Sequence, residues 1–231
     1  MLELFPQGFE EIEDHEGVEL VAYTDAGGEE RLRAVFEGAR TADIPGDWAD
    51  RWRRFHQPVR VGRLWIGPPW EKPAPGAVTI VVDPGRAFGT GGHATTRLCL
   101  ELLLELEPGS LVDVGCGSGV LAIAASKLGF DPVVALDHDP QAVEATRLNA
   151  EANAVSLDVR LSDFDVEGLP AADAAVANLS AELVAAVGPK LDVSRAITSG
   201  YIERYEPELS GFRRIERRTH AGWAADLHER E

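Results

Sequence analysis

From residue 110 onward, short apolar runs alternate with longer segments in which apolar residues recur every three to four positions. The runs are SLVDV at 110–114, PVVALD at 132–137, LDVRLSD at 157–163, ADAAVANL at 172–179 and RAITSG at 195–200. Each is too short for a typical helix and is bounded by turn residues, so five strands are predicted. Between them, VLAIAASKL predicts a helix stopped by Gly129. PQAVEATRLNAEAN predicts another, opened by Asp139 with Pro140 in its first turn, and residues 181–187 a third. Strands and helices in this alternation imply a parallel sheet covered on both faces. GFRRIERRTH and GWAADLHERE then read as a closing antiparallel hairpin. Upstream, HATTRLCLELLLELEPG predicts a helix capped by Thr95 or Thr96. Its Leu98, Leu102, Leu103 and Leu106 share one face, which is expected to pack beside the first of the five strands.

Ahead of this core the pattern weakens. GPPWEKPAPG at 67–76 is dense in Pro and Gly and marks a boundary. The chain is accordingly read as a small α+β domain over 1–60, a linker over 61–82 and an α/β domain over 83–231. The first part shows strands near 9–12 and 18–23, a helix near 29–37, and a Trp/Arg-rich helix in DWADRWRRFHQP. Trp48, Trp52, Trp65 and Trp70 lie in or beside the presumed linker, where packing the two parts together is their expected role.

The formal charge of −17 changes the picture, because sequence-independent nucleic-acid binding needs Lys and Arg facing phosphates. No nucleic acid is expected as a partner, whereas a basic partner would be attracted. Two cysteines, Cys99 and Cys116, cannot make a disulfide framework and suit a reducing compartment. The six histidines lack ligand spacing, so no metal site is expected. The acidic N-terminus does not resemble a signal peptide and no apolar run approaches membrane-spanning length, so a cytoplasmic protein is predicted.

Two glycine-rich stretches carry the candidate chemistry, AFGTGGHATT at 87–96 and DVGCGSG at 113–119. In the second, a strand ends in glycines and opens a helix, which brings bare backbone close to a ligand. The dinucleotide fingerprint Gly-x-Gly-x-x-Gly is not met, since the glycines fall at Gly115, Gly117 and Gly119. Asp113 ahead of them would repel a pyrophosphate but can pair with an ammonium, directly or through water. S-adenosylmethionine carries both an ammonium and a sulfonium, so this loop favours it over a nicotinamide cofactor. Asp137, ending the second strand, is placed to accept both ribose hydroxyls. Asp163, after the third strand, is placed to meet the adenine amino group, with Phe164 nearby for packing. Asn178, after the fourth, offers a carbonyl oxygen to position an amine and an amide donor to hold the cofactor. It is the candidate catalytic residue.

These features resemble class I methyltransferases over about residues 90–231, which implies a Rossmann-like sheet of seven strands with the last antiparallel. The sequence from Asp83 to Thr96 matches, at every fixed place, the loop of the PrmA methyltransferases, which modify amino groups of the eleventh large-subunit ribosomal protein. DVGCGSGVLAIAASKLG, ALDHDPQAVEATRLNAEAN and VANLSAEL carry the same resemblance, which extends back through the Trp-rich helix at 47–55 to about residue 5 and so covers nearly the whole chain. The resemblance implies cofactor contacts at Thr96, Gly115, Asp137 and Asn178. It also implies a lid formed by Phe88, Gly89, Thr90 and Gly91 over the methionine end. His93 is read as a capping or loop-packing residue rather than a base. In that family a complete four-stranded domain precedes the linker and recognises the ribosomal protein, and its first strand and helix are expected to be missing here. The expected activity is N-methylation of lysine or α-amino groups of a protein, most simply that ribosomal protein. The alternatives are a relative retargeted to another protein or small amine, and a non-catalytic cofactor-binding module.

Overall fold

The computed structural model describes residues 10–14, 17–21, 26–36, 38–40, 57–83, 91–163 and 168–231. The chain divides into two units, Met1–Asp50 and Arg51–Glu231. In the first, β1 (Glu10–Asp14) and β2 (Gly17–Val21) pair antiparallel with Glu10 opposite Val21, and α1 (Ala26–Val35) follows. Both strands and the helix predicted there are present. Most of the predicted Trp/Arg-rich helix, with Trp48 and Trp52, lies outside the described residues.

The second unit begins with a three-stranded sheet. β3 (Val59–Val61) runs antiparallel to β4 (Leu64–Gly67), and β4 runs parallel to β5 (Val78–Val81). Residues 61–82, read from the sequence as a linker, therefore carry strands. The Pro/Gly-dense stretch is the connection between two parallel neighbours, and the division falls between Asp50 and Arg51 instead. Leu64, Ile66, Ile80 and Val82 are buried in the main core, which gives this segment an apolar face to cover.

Seven strands form the central sheet: β6 (Leu111–Val114), β7 (Val133–Asp137), β8 (Asp158–Leu161), β9 (Ala172–Asn178), β10 (Val193–Ile202), β11 (Phe212–His220) and β12 (Trp223–Arg230). Their order is β11-β12-β10-β9-β6-β7-β8. From β10 to β8 all neighbours are parallel, while β12 runs antiparallel to both β10 and β11. The predicted fold class, an α/β class I methyltransferase sheet with one antiparallel strand and a small N-terminal α+β unit, is the one observed. Strand β10 outruns its predicted span at both ends because it is paired on both sides, to β9 and β12.

Alternation within the strands builds two cores. In β9, Ala174 and Val176 face one cluster and Ala175 and Ala177 the other, so the uniform apolar run reflects burial on both faces. α3 (Val120–Leu128) ends at Gly129, left-handed with φ 101°. α4 (Pro140–Ala152) is capped by Asp139, whose carboxylate accepts from the Gln141 amide, and α5 (Ala181–Val187) is capped by Ser180. Such caps satisfy amides that a helix start leaves unpaired, each contributing about 1 kcal/mol. α2 (Ala94–Leu103) departs from expectation in two ways. Its cap is His93, not Thr95 or Thr96, which lie buried inside the first turn. The four predicted leucines are buried, and the helix packs mainly against β10 and β12, while α3 packs against β6 and β7. Among the described residues no helix is long and apolar enough to cross a membrane.

A buried polar network sits on the hairpin side of the sheet. Tyr201 Oη donates to Asp226 at 2.8 Å, and Thr198 Oγ1 lies 3.0 Å from His228 Nε2. Burial, reinforced by the Arg214 guanidinium, holds His228 down to about 4. A histidine depressed in the folded state contributes stability above its unfolded value near 6.5, and that stability is lost as pH falls toward 4. The difference corresponds to roughly 3 kcal/mol. Wild type should therefore lose more stability than His228→Gln between pH 7.5 and pH 4.5, read as urea midpoints. Parallel losses in the two proteins would contradict this.

Candidate functional site

The chain winds from β6 to β8 on one side of the sheet, then returns through β9 to β10 on the other. β6 and β9 are thus adjacent strands whose following loops diverge, leaving a crevice at their carboxyl ends. Gly115, Gly117 and Gly119 follow β6 and all have positive φ, at 76°, 54° and 80°. Gly115 N–H donates to Leu136 O at 2.8 Å, which pins the turn to β7. At φ 76° Gly115 holds a backbone conformation that side chains rarely adopt, and a Cβ there would lie 2.4 Å from Leu179 Cδ2. Gly119, expected at the ligand, is also required by packing, because its Cβ would meet Thr146 of α4 at 2.7 Å.

Asp137 closes β7 with its side chain only slightly exposed. Oδ2 accepts from Gly117 N at 2.9 Å and Oδ1 from Asp139 N at 3.0 Å. Each oxygen has a second lone pair, so two further donors can be received side by side. Asp113 is placed differently from expectation. It is 1% exposed beneath the loop, on the strand face that α3 covers, and its Oδ2 accepts from Ala122 N at 3.1 Å. Its Oδ1 is buried with no hydrogen-bond partner among the described residues, and burial pushes the carboxyl up to about 7. Asp113 therefore supports the loop from below. Asp163 is exposed just beyond β8. Phe164, Phe88, Gly89 and Thr90 lie outside the described residues. Gly91, at φ 85°, packs against Ile66, where a Cβ would come within 2.6 Å of Cγ2.

Two hollows meet at Asn178. A small one is lined by Thr96, Gly115 and Gly117, with Cys116, Val120 and Leu121, which the sequence did not single out. Asn178 Nδ2 donates to Thr96 Oγ1 at 3.4 Å there, so α2 and β9 are tied across the crevice. The larger, about 350 Å³, is lined by His93, Thr95, Leu179, Ser180, Gly200 and Trp223, with Asn178 again on its wall. His93 Nδ1 accepts from Thr95 N at 3.4 Å and lies 2.8 Å from Thr95 Oγ1. A backbone amide can only donate, so this cap assigns the ring proton to Nε2. Trp223 holds the other side of the ring in an edge-to-face contact, with centroids 4.7 Å apart. Gly200 fits only as glycine: at φ 101°, a Cβ would lie 2.1 Å from Leu179 O. Trp223 and Gly200 escaped sequence reading because each sat inside a strand pattern. The signal was a lone tryptophan opening the last strand, away from the other four.

The residues fit S-adenosylmethionine. A glycine cradle excludes Cβ atoms, a carboxylate beside it keeps two acceptor positions, and an Asn stands where the hollows join. Among the described residues no cluster of His, Cys, Asp and Glu could hold a metal ion.

A family model described as Ribosomal protein L11 methyltransferase (PrmA) matches residues 13–225. The chain is 49% identical over 159 residues to the Ribosomal protein L11 methyltransferase of Symbiobacterium thermophilum, covering 67% of this chain and 52% of that protein. It is 45% identical over 180 residues to the protein of the same name in Tolumonas auensis, covering 71% and 59%. The chain thus spans about half the length of the curated relatives it matches. Among solved structures, the ribosomal protein L11 methylase of Lactobacillus delbrueckii subsp. bulgaricus is similar with a TM-score of 0.66 and 30% identity. That likeness covers 76% of this chain and 100% of the other. With the match running from the first strand pair to the last strand, the chain belongs to the ribosomal protein L11 methyltransferase (PrmA) family.

Proposed function

We propose that the chain is an S-adenosylmethionine-dependent N-methyltransferase acting in the cytoplasm on lysine or α-amino groups of a protein, with ribosomal protein L11 as the first candidate acceptor. The observation that carries this reading is Asn178, which lines both the glycine-floored hollow and the larger cavity beside it. When bound, S-adenosylmethionine supplies a sulfonium-activated methyl carbon, which an amine lone pair takes by in-line displacement of the thioether. The chain's own work is orientation and exclusion of water. Asp137 receives the ribose hydroxyls, Asp163 serves the adenine edge, and Gly115 and Gly117 let the backbone approach. Thr96 holds the Asn178 amide through its nitrogen, leaving the carbonyl oxygen to accept an N–H of the incoming amine.

Leu179 and Trp223 give the acceptor cavity apolar walls, where a lysine ammonium is penalised and the neutral, nucleophilic amine is favoured. No dedicated base is then required, and His93, with Nδ1 committed to its cap, shapes the wall through Trp223. A basic acceptor protein also suits a chain of net charge −17. The test is incubation with methyl-labelled S-adenosylmethionine and ribosomal proteins from cells that lack this methylation, followed by mass spectrometry. Label on amino groups of L11 supports the reading. Label on another protein alone shifts the acceptor, and no transfer at all opposes methyl transfer.

A further inference from the structure

Two asparagines one turn apart, Asn149 and Asn153, lie near the C-terminal end of α4. Asparagine is a poor helix former and is seldom buried, yet both side chains are nearly inaccessible. Their four-residue spacing places them on one face of the helix. They do different things from that face. Asn153 serves the strand edge: its Oδ1 accepts from Val81 N at 2.9 Å and its Nδ2 donates to Val81 O at 2.6 Å. Asn149 reaches two loops at once. Its Nδ2 donates to Ser118 O at 2.9 Å, inside the glycine turn, and its Oδ1 accepts from Asp83 N at 3.2 Å, the first residue of the Asp83–Thr96 motif.

We infer that Asn149 is a positioning residue for the cofactor, a clamp that fixes the spacing between the 115–119 loop and Asp83, just beyond β5. This rests on the reading of the site as a cofactor site. Asn149 does not touch the ligand. It holds the Ser118 carbonyl, next in the chain to Gly117, whose amide donates to the Asp137 carboxylate and whose carbonyl accepts from Thr146 Oγ1 one turn earlier on α4. A loop held in its binding geometry before the ligand arrives pays less ordering cost on binding. The shared face supplies an internal control, because Asn153 ties the same helix to Val81 of β5 and to the Asn149 carbonyl without reaching the glycine loop.

The experiment is calorimetric titration of wild type, Asn149→Ala and Asn153→Ala with S-adenosylmethionine, alongside thermal midpoints. Both variants leave buried backbone groups unpaired and should melt earlier than wild type. Only Asn149→Ala should raise the cofactor Kd, by roughly tenfold or more, the effect of deserting one or two buried partners. In turnover, the loss should fall on KM for the cofactor and leave KM for the acceptor unchanged. Equal Kd values in the two variants would overturn the clamp and leave the proposed function intact. Absence of binding by wild type would overturn both. If Asn149→Ala does not fold, Asn149→Ser, which cannot span both loops, is measured instead, and a Kd equal to that of Asn153→Ala overturns the proposal.

Discussion

Asp137→Ala should weaken S-adenosylmethionine binding by about a hundredfold or more, measured by calorimetry. Two losses combine in that figure. The first is the pair of acceptor positions for the ribose hydroxyls, which are charge-assisted bonds in a largely buried setting. The second is internal, since Asp137 Oδ2 holds the Gly117 amide and Oδ1 the Asp139 amide. Removing the carboxylate leaves both donors unpaired and relaxes the turn that forms the floor. Asp137→Asn separates the two, because it keeps one acceptor oxygen but replaces the other with a donor facing a donor. It should bind almost as poorly as the alanine variant. A calorimetric affinity unchanged in both proteins, with folding intact, would remove Asp137 from the site.

Asn178→Ala should act on rate rather than on cofactor affinity. An acceptor amine that loses its positioning oxygen still enters the cavity, but it samples orientations off the line of attack. A misplacement of about 1 Å at a reacting centre lowers turnover on the order of a hundredfold. The bond to Thr96 is long, at 3.4 Å, so its loss should change S-adenosylmethionine affinity only a few-fold. Single-turnover kinetics with saturating cofactor read the two effects apart. Equal losses in turnover and affinity would make Asn178 a cofactor ligand only.

The α/β half of this chain was open to sequence reasoning because its signals are local. A parallel strand buried on both faces must be apolar throughout, and a tight strand-to-helix turn must be glycine-rich, so β6, β7 and β9 with the 115–119 loop could be placed without coordinates. What escaped were features fixed by distant partners. Residues 61–82 looked like a linker because Pro and Gly are as useful in a crossover between β4 and β5 as between domains. Asp113 and Gly119 stood in a motif that suggested ligand contact, and the fold gives each a packing role besides: Asp113 Oδ2 accepts from Ala122 N, and a Cβ on Gly119 would meet Thr146. Trp223 and Gly200 reach the larger cavity only because β12 returns antiparallel beside β10. Asn149 was one residue of a predicted helix, and only the fold brings Ser118 and Asp83 to its side chain.

The central claim is that cofactor and acceptor meet at Asn178, one on each side of it. The most direct measurement is a crystal structure of the protein with S-adenosylhomocysteine. The account predicts ribose hydroxyls on Asp137, the nucleoside beside Gly115 and Gly117, and the sulfur directed toward Asn178 and the cavity walled by Leu179 and Trp223. Density for the nucleoside away from the β6–β9 crevice, or a sulfur turned from Asn178, would contradict it.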